Sequence, residues 1–481
     1  TDNSKKISIP RGTGLKFTAD SKIAVATIKP FYKDIKAVKD KKLKKEKLAK
    51  DTLALVNLET GQIEKIPNVQ SFKLAEKGNI AVAYLLENLK DKTPEPTKPE
   101  GESTEGNNAK PLELILHHFQ TKKEDKFANV IRYAFNKNGD QLAFITKKPE
   151  EKKKKEEEKK GEVKDSLVAK KETPKEDKSK PKKYELHSVN WLNLTTGKLS
   201  KLIEAEGDFN LINCDDNGNQ LAFVGTNSAK NDLLKDYQLY YFNKDSKKNT
   251  IVETEHAKFP KNWRVSENGM PNFSKDGKKL FFGIQPKPAV KDTALIANDH
   301  AVVDIWGYKD ETLQTIQLTN LNRDLKKTYP TILHPETGTI VTLADENLDT
   351  VRYINEGNSE YVLGSTDNGT QLQAQWTAST LRTYYLINTK TGQKTEIIKN
   401  LNGNVYPSPL GKHIVFFNRE NGNWYQYNIT KKETTQLNKD LNIIFTDEEN
   451  DVPDLPRAYG FAAFTDNDES VIIKDRFDLW E

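Results

Sequence analysis

At 481 residues the chain exceeds one ordinary compact domain, so it is either multidomain or a large repeat architecture. With 30% charged and 35% hydrophobic residues, its longest apolar runs, such as Ile80 to Leu86, are far too short to span a bilayer, and no transmembrane segment is expected. Its 75 basic and 70 acidic residues leave a net charge of +5, which gives no reason to expect a nucleic-acid partner. The single cysteine, Cys214, excludes an intrachain disulfide. The chain starts at Thr1 and its one methionine is Met270, so the expectation is that an N-terminal segment such as a signal peptide has been removed. The corresponding expectation for location is export: periplasmic, outer-membrane associated or secreted.

One unit recurs along the chain: a strand, a turn of Asx-Gly type, then a strand. Pro271 to Gly283, PNFSKDGKKLFFG, shows it most plainly. Asp and Gly tolerate the positive φ of tight hairpins, and Leu280-Phe281-Phe282 is a short buried strand. Leu15 to Val25 has the same shape, and after a basic insert, Lys33 to Lys50, Thr52 to Ile66 turns on Thr60-Gly61. The pair then repeats. Phe72 to Leu86 and Leu112 to Lys126 flank a polar loop, Asn88 to Lys110. Ile131 to Thr146 is followed by Tyr184 to Ile203, and Phe209 to Gly225 by Tyr237 to Val252. Pro271 to Gly283 is paired with Val303 to Leu318. Later members are Tyr329 to Ala344, Tyr361 to Leu372, Tyr384 to Ile398, Val405 to Phe417, Trp424 to Leu437 and Tyr459 to Lys474.

Two hairpins in every 40 to 60 residues or so is the period of four-stranded propeller blades. The predicted fold is therefore all-β, a multi-bladed β-propeller over residues 1–481, with about seven to eight four-stranded blades. The last unit lacks a second hairpin after Trp480, so the expectation is an incomplete C-terminus and a longer parent polypeptide. Residues 147–183 are almost wholly Lys, Glu, Pro, Ser and Asp. They cannot bury enough apolar area to offset their ordering entropy, and a long disordered surface loop is predicted.

The match to a known family becomes specific from Phe259 onward. FSKDGKKLFFG, then Val303-Asp304-Ile305-Trp306, resembles the N-terminal propeller of prolyl oligopeptidase family serine peptidases, in the large form common in Bacteroidetes. Ser408-Pro409-Leu410-Gly411-Lys412 is similar to that family's SPDGK turn, with Leu410 in place of Asp. The stretch Asp447 to Pro453 with Tyr459-Gly460, and the run Asp475 to Trp480, DRFDLW, resemble further segments of that form. The resemblance implies a C-terminal α/β-hydrolase domain carrying Ser, Asp and His, in cis or as an associated fragment. It also implies peptide substrates, with the propeller as lid, access filter and packing platform. No GxSxG occurs here, so no catalytic residue is assigned. The alternative is a non-catalytic propeller that binds a protein partner or belongs to a cell-envelope assembly.

Seven histidines, His117, His118, His187, His256, His300, His334 and His413, sit in no nucleophile context, and neither HExxH nor a Cys/His zinc spacing occurs. No cofactor is expected. The sharpest local charge is Asp447, Glu448, Glu449 and Asp451. Three readings stay open for it. It is a solvated blade-joining loop, or Glu448 and Glu449 hold a substrate amine as propeller glutamates of dipeptidyl-peptidase relatives do, or Asp447 and Asp451 belong to a calcium site. The six tryptophans are spaced about one per unit, which blade packing explains.

Overall fold

Short apolar strands separated by turn residues pair with their chain neighbours, and the computed structural model shows this pairing throughout. It describes residues 6–40, 50–87, 111–148, 184–245, 248–290, 303, 305–377 and 379–481. The charged insert predicted to be disordered lies outside the described residues from 149 onward. The chain divides into two compact units, the first comprising 1–212 and 225–236, the second 213–224 and 237–481.

In the first unit ten strands pair antiparallel in chain order into one continuous sheet. They are β1 (Gly12–Phe17), β2 (Ile23–Ile28), β3 (Asp51–Asn57), β4 (Ile63–Leu74), β5 (Ala81–Leu86), β6 (Leu112–His118), β7 (Glu124–Phe135), β8 (Gln141–Lys147), β9 (Leu186–Asn193) and β10 (Leu199–Glu206). Three four-stranded meanders are linked here because β4 and β7, each 12 residues long, serve twice. The first half of β4 pairs with β3 and the second half with β5, as in Val56 opposite Ile63 and Phe72 opposite Tyr84. The switch occurs at Asn68 in β4 and Asn129 in β7, with φ of 61° and 59°. Asparagine is the side chain that best tolerates this left-handed conformation, so each strand turns a corner without a loop.

The next sheet comprises β11 (Asp208–Cys214), β12 (Gln220–Thr226), β13 (Tyr237–Asn243) and β14 (Lys248–Val252). In the second unit β15 (Trp263–Val265), β16 (Asn272–Phe273), β17 (Leu280–Pro286), β18 (Tyr329–His334) and β19 (Thr339–Thr342) form one sheet, with β15 and β16 both on β17. Then come two four-stranded meanders. One is β20 (Thr350–Arg352), β21 (Tyr361–Thr366), β22 (Arg382–Asn388) and β23 (Lys394–Leu401). The other is β24 (Val405–Pro407), β25 (His413–Asn418), β26 (Asn423–Asn428) and β27 (Glu433–Gln436). A three-stranded sheet ends the chain: β28 (Gly460–Phe464), β29 (Val471–Lys474) and β30 (Leu479–Trp480). The chain is thus all-β, a succession of the antiparallel blade-type sheets of a β-propeller.

Two predicted hairpins are not hairpins. Within Val303 to Leu318 the described residues 305–312 are not strand, and the chain enters helix α2 (Gln314–Asp324), so the third and fourth strands of that sheet are β18 and β19. Leu318, Leu321 and Leu325 lie at i, i+3 and i+7, a helical spacing that the strand reading passed over. Tyr361 to Leu372 likewise leaves β21 for helix α3 (Gln371–Thr377) rather than turning on Asn368-Gly369. The first helix, α1 (Tyr32–Asp40), precedes β3. All three helices, and the segments 87–111 and 148–185, interrupt the link from second to third strand of their sheets. The links from first to second and from third to fourth strand are mostly tight.

The tight links use two recurring devices. In the first-to-second link, a buried or half-buried side-chain oxygen accepts the backbone N–H five residues on. Thr18, Asn136, Asp215, Ser274, Ser408 and Thr465 do so at 2.7–3.1 Å. At Ser274 the turn also needs Gly277, whose φ is 71°. Ala75 occupies the same place without an oxygen to offer. In the third-to-fourth link an asparagine ends the third strand, and its side chain accepts the N–H three residues on, as Asn57, Asn193, Asn388 and Asn428 do.

Leu410 stands where Asp20 and Asp276 accept a backbone N–H two residues on, at Lys22 and Lys278. The missing carboxylate comes from the neighbouring sheet. Buried Asp468 accepts the Leu410 N–H at 2.9 Å and faces the Lys412 N–H at 3.5 Å. In DRFDLW the Asp475 carboxylate accepts the N–H groups of Phe477 and Asp478 and the indole N–H of Trp480.

Middle strands supply the core. Val25, Leu53, Val82, Tyr84 and Ile115 pack together in the first unit, and Val415, Phe417, Trp424, Phe445 and Ile473 in the second. Each such buried side chain contributes about 1.5–3 kcal/mol. Blade packing accounts for Trp191, Trp263 and Trp424, which are buried, and for Trp480, which packs on the second cluster. It does not account for Trp306 and Trp376, which are 67% and 78% exposed.

Candidate functional site

The passage from β23 to β24 is built by Asn400-Leu401-Asn402-Gly403-Asn404. Asn400 takes a left-handed φ of 47° and exchanges hydrogen bonds with Thr383 of β22. The next turn of chain lies against the end of β25. The Asn402 carbonyl accepts the Arg419 N–H at 2.9 Å, and the Asn404 carbonyl accepts the Phe417 N–H at 3.0 Å. Gly403 fills a place where a Cβ would lie 1.8 Å from the Phe417 carbonyl oxygen, so only glycine fits this close backbone approach.

Beside this corner lies a cleft of about 680 Å³. Tyr384, Tyr406 and Phe417 give it apolar surface, Ser379, Thr380 and Asn404 give it polar groups, and Arg382, Arg419 and Arg457 give it charge. No carboxylate lines it among the described residues. Arg382 donates to Asp367 at 2.7 Å, and Asp367 also accepts from Gln371 of α3. Arg419, 11% exposed, is fully engaged. It pairs with Asp454 at 2.8 Å, and bonds the Leu455 and Pro456 carbonyls and the Asn402 side chain. Its hydrogen bond is the first cause that holds Asp454 below the usual carboxylate range. Arg352 reaches the same corner, donating to the Val405 carbonyl at 3.3 Å. Burial pushes the Tyr384 phenol up, while Arg382 and Arg352 pull it back. The exposed Arg457 guanidinium has no hydrogen bond or ion pair among the described residues.

Only nine of the 75 basic residues are arginine, and four of those nine meet here. That scarcity was the one signal in the sequence. It went unread because Arg352, Arg382, Arg419 and Arg457 lie 30 to 38 residues apart, on different elements. Arginine presents a planar fork of donors that matches a carboxylate in two-point geometry, which lysine lacks.

The acidic stretch Asp447 to Asp451 borders this cleft through its own loop. An isolated bridge pairs Thr446 with Ala458, and the Asp447 N–H donates to the Arg457 carbonyl at 2.8 Å. The Asp447 carboxylate accepts the Glu449 N–H at 3.1 Å. Glu448 lies beside the Tyr459 hydroxyl, which accepts the Glu448 N–H at 3.0 Å. Glu449 pairs with Arg476 of the DRFDLW turn. Glu448 and Glu449 are therefore held by different partners, and Asp451 is exposed with no side-chain bond among the described residues. Among the described residues no group of three or more His, Cys, Asp or Glu side chains is placed to hold a metal ion.

Of the histidines, His117 and His118 face opposite sides of β6, with His118 bonded to Asp125 at 2.9 Å. His334 bonds the Thr389 carbonyl. His300 lies outside the described residues. Buried His187 donates from Nδ1 to the Glu185 carbonyl at 2.9 Å, near Asp208.

No protein-family model matches the chain, and no curated protein matches it. Solved structures do resemble it. The β-propeller domain of the trilobed protease from Pyrococcus furiosus is 12% identical over 76% of this chain and 84% of that one, with a TM-score of 0.33. Porphyromonas gingivalis dipeptidyl peptidase 4 is 8% identical over 89% of this chain and 53% of its own, at 0.41. Pyrococcus horikoshii acylaminoacyl peptidase is 11% identical over 89% and 52%, at 0.35. This chain thus spans about half the length of those two peptidases. With every score below 0.5, the architecture rests on the strand pairing described above.

Proposed function

We propose that this chain is the propeller portion of an exported prolyl-oligopeptidase-like serine peptidase, where it gates peptide access and forms a packing platform for a hydrolase domain. The observation that carries the reading is where the sheets are elaborated. All three α-helical insertions, with the exposed Trp306 of the α2 segment and Trp376 of α3, leave from the second-to-third strand link, and the long loop 437–459 joins the fourth strand of one sheet to the first of the next at the same end. The arginine cleft opens at that same end of its two sheets, beside α3 and the β25–β26 turn. The opposite ends are closed by tight side-chain-capped turns. One end of each sheet is thereby shaped for contact and the other for stability. The segments that resemble the peptidase family, SKDGK, SPLGK and DRFDLW, hold those turns and the last sheet together. In this reading the loop Asp447 to Tyr459, with Glu448 at its surface, meets the peptide.

A fluorophosphonate probe applied to the full-length gene product tests the proposal. Labelling of a serine on the same polypeptide, or on a fragment that co-purifies with it, is expected. Absence of labelling on any associated polypeptide overturns the peptidase reading and leaves a binding propeller.

A further inference from the structure

We infer that the cleft at the β23–β24 corner is a carboxylate-binding subsite, with Arg457 as its principal ligand-contacting residue. The inference rests on the peptide-handling reading above and names the group on the peptide that is recognised.

Charge pairing within the site leads there. Arg419 is fully used by Asp454, two carbonyls and Asn402, so it is a fixed wall. Arg382 spends one of its amino groups on Asp367 and also lines the cleft. Arg457 spends none, and Arg352 spends one on a carbonyl. Against the three guanidinium groups in the lining stand two carboxylates, Asp367 and Asp454, so the cleft holds uncompensated positive charge with no acid in its lining among the described residues. An anion entering it meets the open Arg457 guanidinium beside the fixed wall of Arg419. The corner backbone cannot shift, because Gly403 is wedged on the Phe417 carbonyl, and Arg419 ties β25 to the acidic loop that carries Arg457. A wall that is already fixed loses little entropy on binding, and the ordering cost falls on Arg457 alone.

The rest of the lining selects the class of anion. Tyr384, Tyr406 and Phe417 provide flat apolar surface, and Ser379, Thr380 and Asn404 provide neutral donors and acceptors. Such a mixture suits an organic carboxylate with an amide backbone behind it, and a planar carboxylate fits the guanidinium fork of Arg457. A peptide carries that group in two places, at its C-terminus and on Asp or Glu side chains. Both present the same chemistry.

Short fluorescein-labelled peptides of one neutral sequence, titrated against the whole chain by anisotropy, separate these cases. One form has a free C-terminal carboxylate, one a C-terminal amide, and one an amide with an internal Glu. At least one carboxylate-bearing form is expected to bind about 10- to 100-fold more tightly than the plain amide, the ratio for a hydrogen bond to a charged group. Arg457→Ala is expected to abolish that preference, and Arg457→Lys to restore only part of it. Because the Arg457 side chain is exposed, and its only recorded interaction among the described residues is an electrostatic one with the surface carboxylate of Asp454, the melting temperature of Arg457→Ala should stay close to that of the parent. Preference for the free carboxylate assigns the site to peptide C-termini, and preference for the internal Glu assigns it to acidic side chains. Equal binding of all three forms, no binding by any, or a preference that survives Arg457→Ala overturns the inference. Fluorophosphonate labelling is scored separately. Carboxylate preference without labelling removes the peptidase reading and keeps the subsite, and labelling without preference does the reverse.

Discussion

Replacing Asp468 by glycine probes how one sheet completes the turn of the next. The Asp468 carboxylate is 4% exposed and accepts the Leu410 N–H at 2.9 Å, with the Lys412 N–H at 3.5 Å. Glycine is the right replacement because Asp468 has a φ of 55°, which alanine resists and glycine accepts. A hydrogen bond to a buried charged acceptor is worth about 1.5–3 kcal/mol, so that loss is expected in urea unfolding followed by tryptophan emission. Trp424 and Trp480 lie in the cluster beside this contact and report on it. Leu410→Asp then supplies the carboxylate from within the turn, as Asp276 does for the Lys278 N–H at 3.1 Å. In the Asp468→Gly background it should recover about 1 kcal/mol or more. In the parent it should destabilise, because two carboxylates then compete for the same N–H groups. The side chain of Leu410 is 45% exposed, so losing it costs little by itself. The same effect of Leu410→Asp in both backgrounds would refute the reasoning, since a double-mutant cycle with no coupling means the two positions do not share a role.

Other consequences are simpler to read. Gly403→Ala should cost about 1–3 kcal/mol by overpacking against the Phe417 carbonyl, and should weaken carboxylate-peptide binding because the corner moves; unchanged melting would contradict the close approach. Burial pulls the His187 imidazole below its ordinary 6.5, against the pull of the Glu185 carbonyl and Asp208. The unfolded chain therefore takes up a proton below pH 6.5 that the fold refuses. The His187 contribution is complete above that value and falls as the pH drops through 6.5 toward the folded-state value. His187→Gln should flatten stability against pH below 6.5 in urea titrations. Ala75→Ser should supply the side-chain acceptor that the equivalent turns have, and raise stability by about 0.5–1.5 kcal/mol in the same assay.

How much of this was legible in the sequence depended on range. Turns such as Ser274 to Lys279 are closed by residues five positions apart, so their chemistry is local and the repeat could be read directly. The α2 segment was misread because Val303-Asp304-Ile305-Trp306 looks like a strand, while the leucine spacing that marks the helix begins only at Leu318. Leu410 looked like a departure from the turn pattern, and its remedy lay 58 residues away at Asp468. The arginine cleft was invisible for the same reason, since Arg382, Arg419 and Arg457 are gathered from separate strands and loops rather than by any local motif. The acidic run Asp447 to Asp451 was conspicuous in the sequence. In the structure much of it is spent on its own loop, on Tyr459 and on Arg476, and it borders the cleft through Arg457.

The most direct test of the account is cleavage by the full-length gene product of internally quenched peptides of increasing length, alongside an unfolded protein such as reduced casein. Fluorophosphonate-sensitive hydrolysis of short peptides is expected, with kcat/KM falling steeply as length grows, if the propeller limits the length of chain that reaches the hydrolase as proposed. Equal cleavage of short peptides and the long unfolded chain would contradict gating, and no fluorophosphonate-sensitive hydrolysis at all would contradict the peptidase assignment itself.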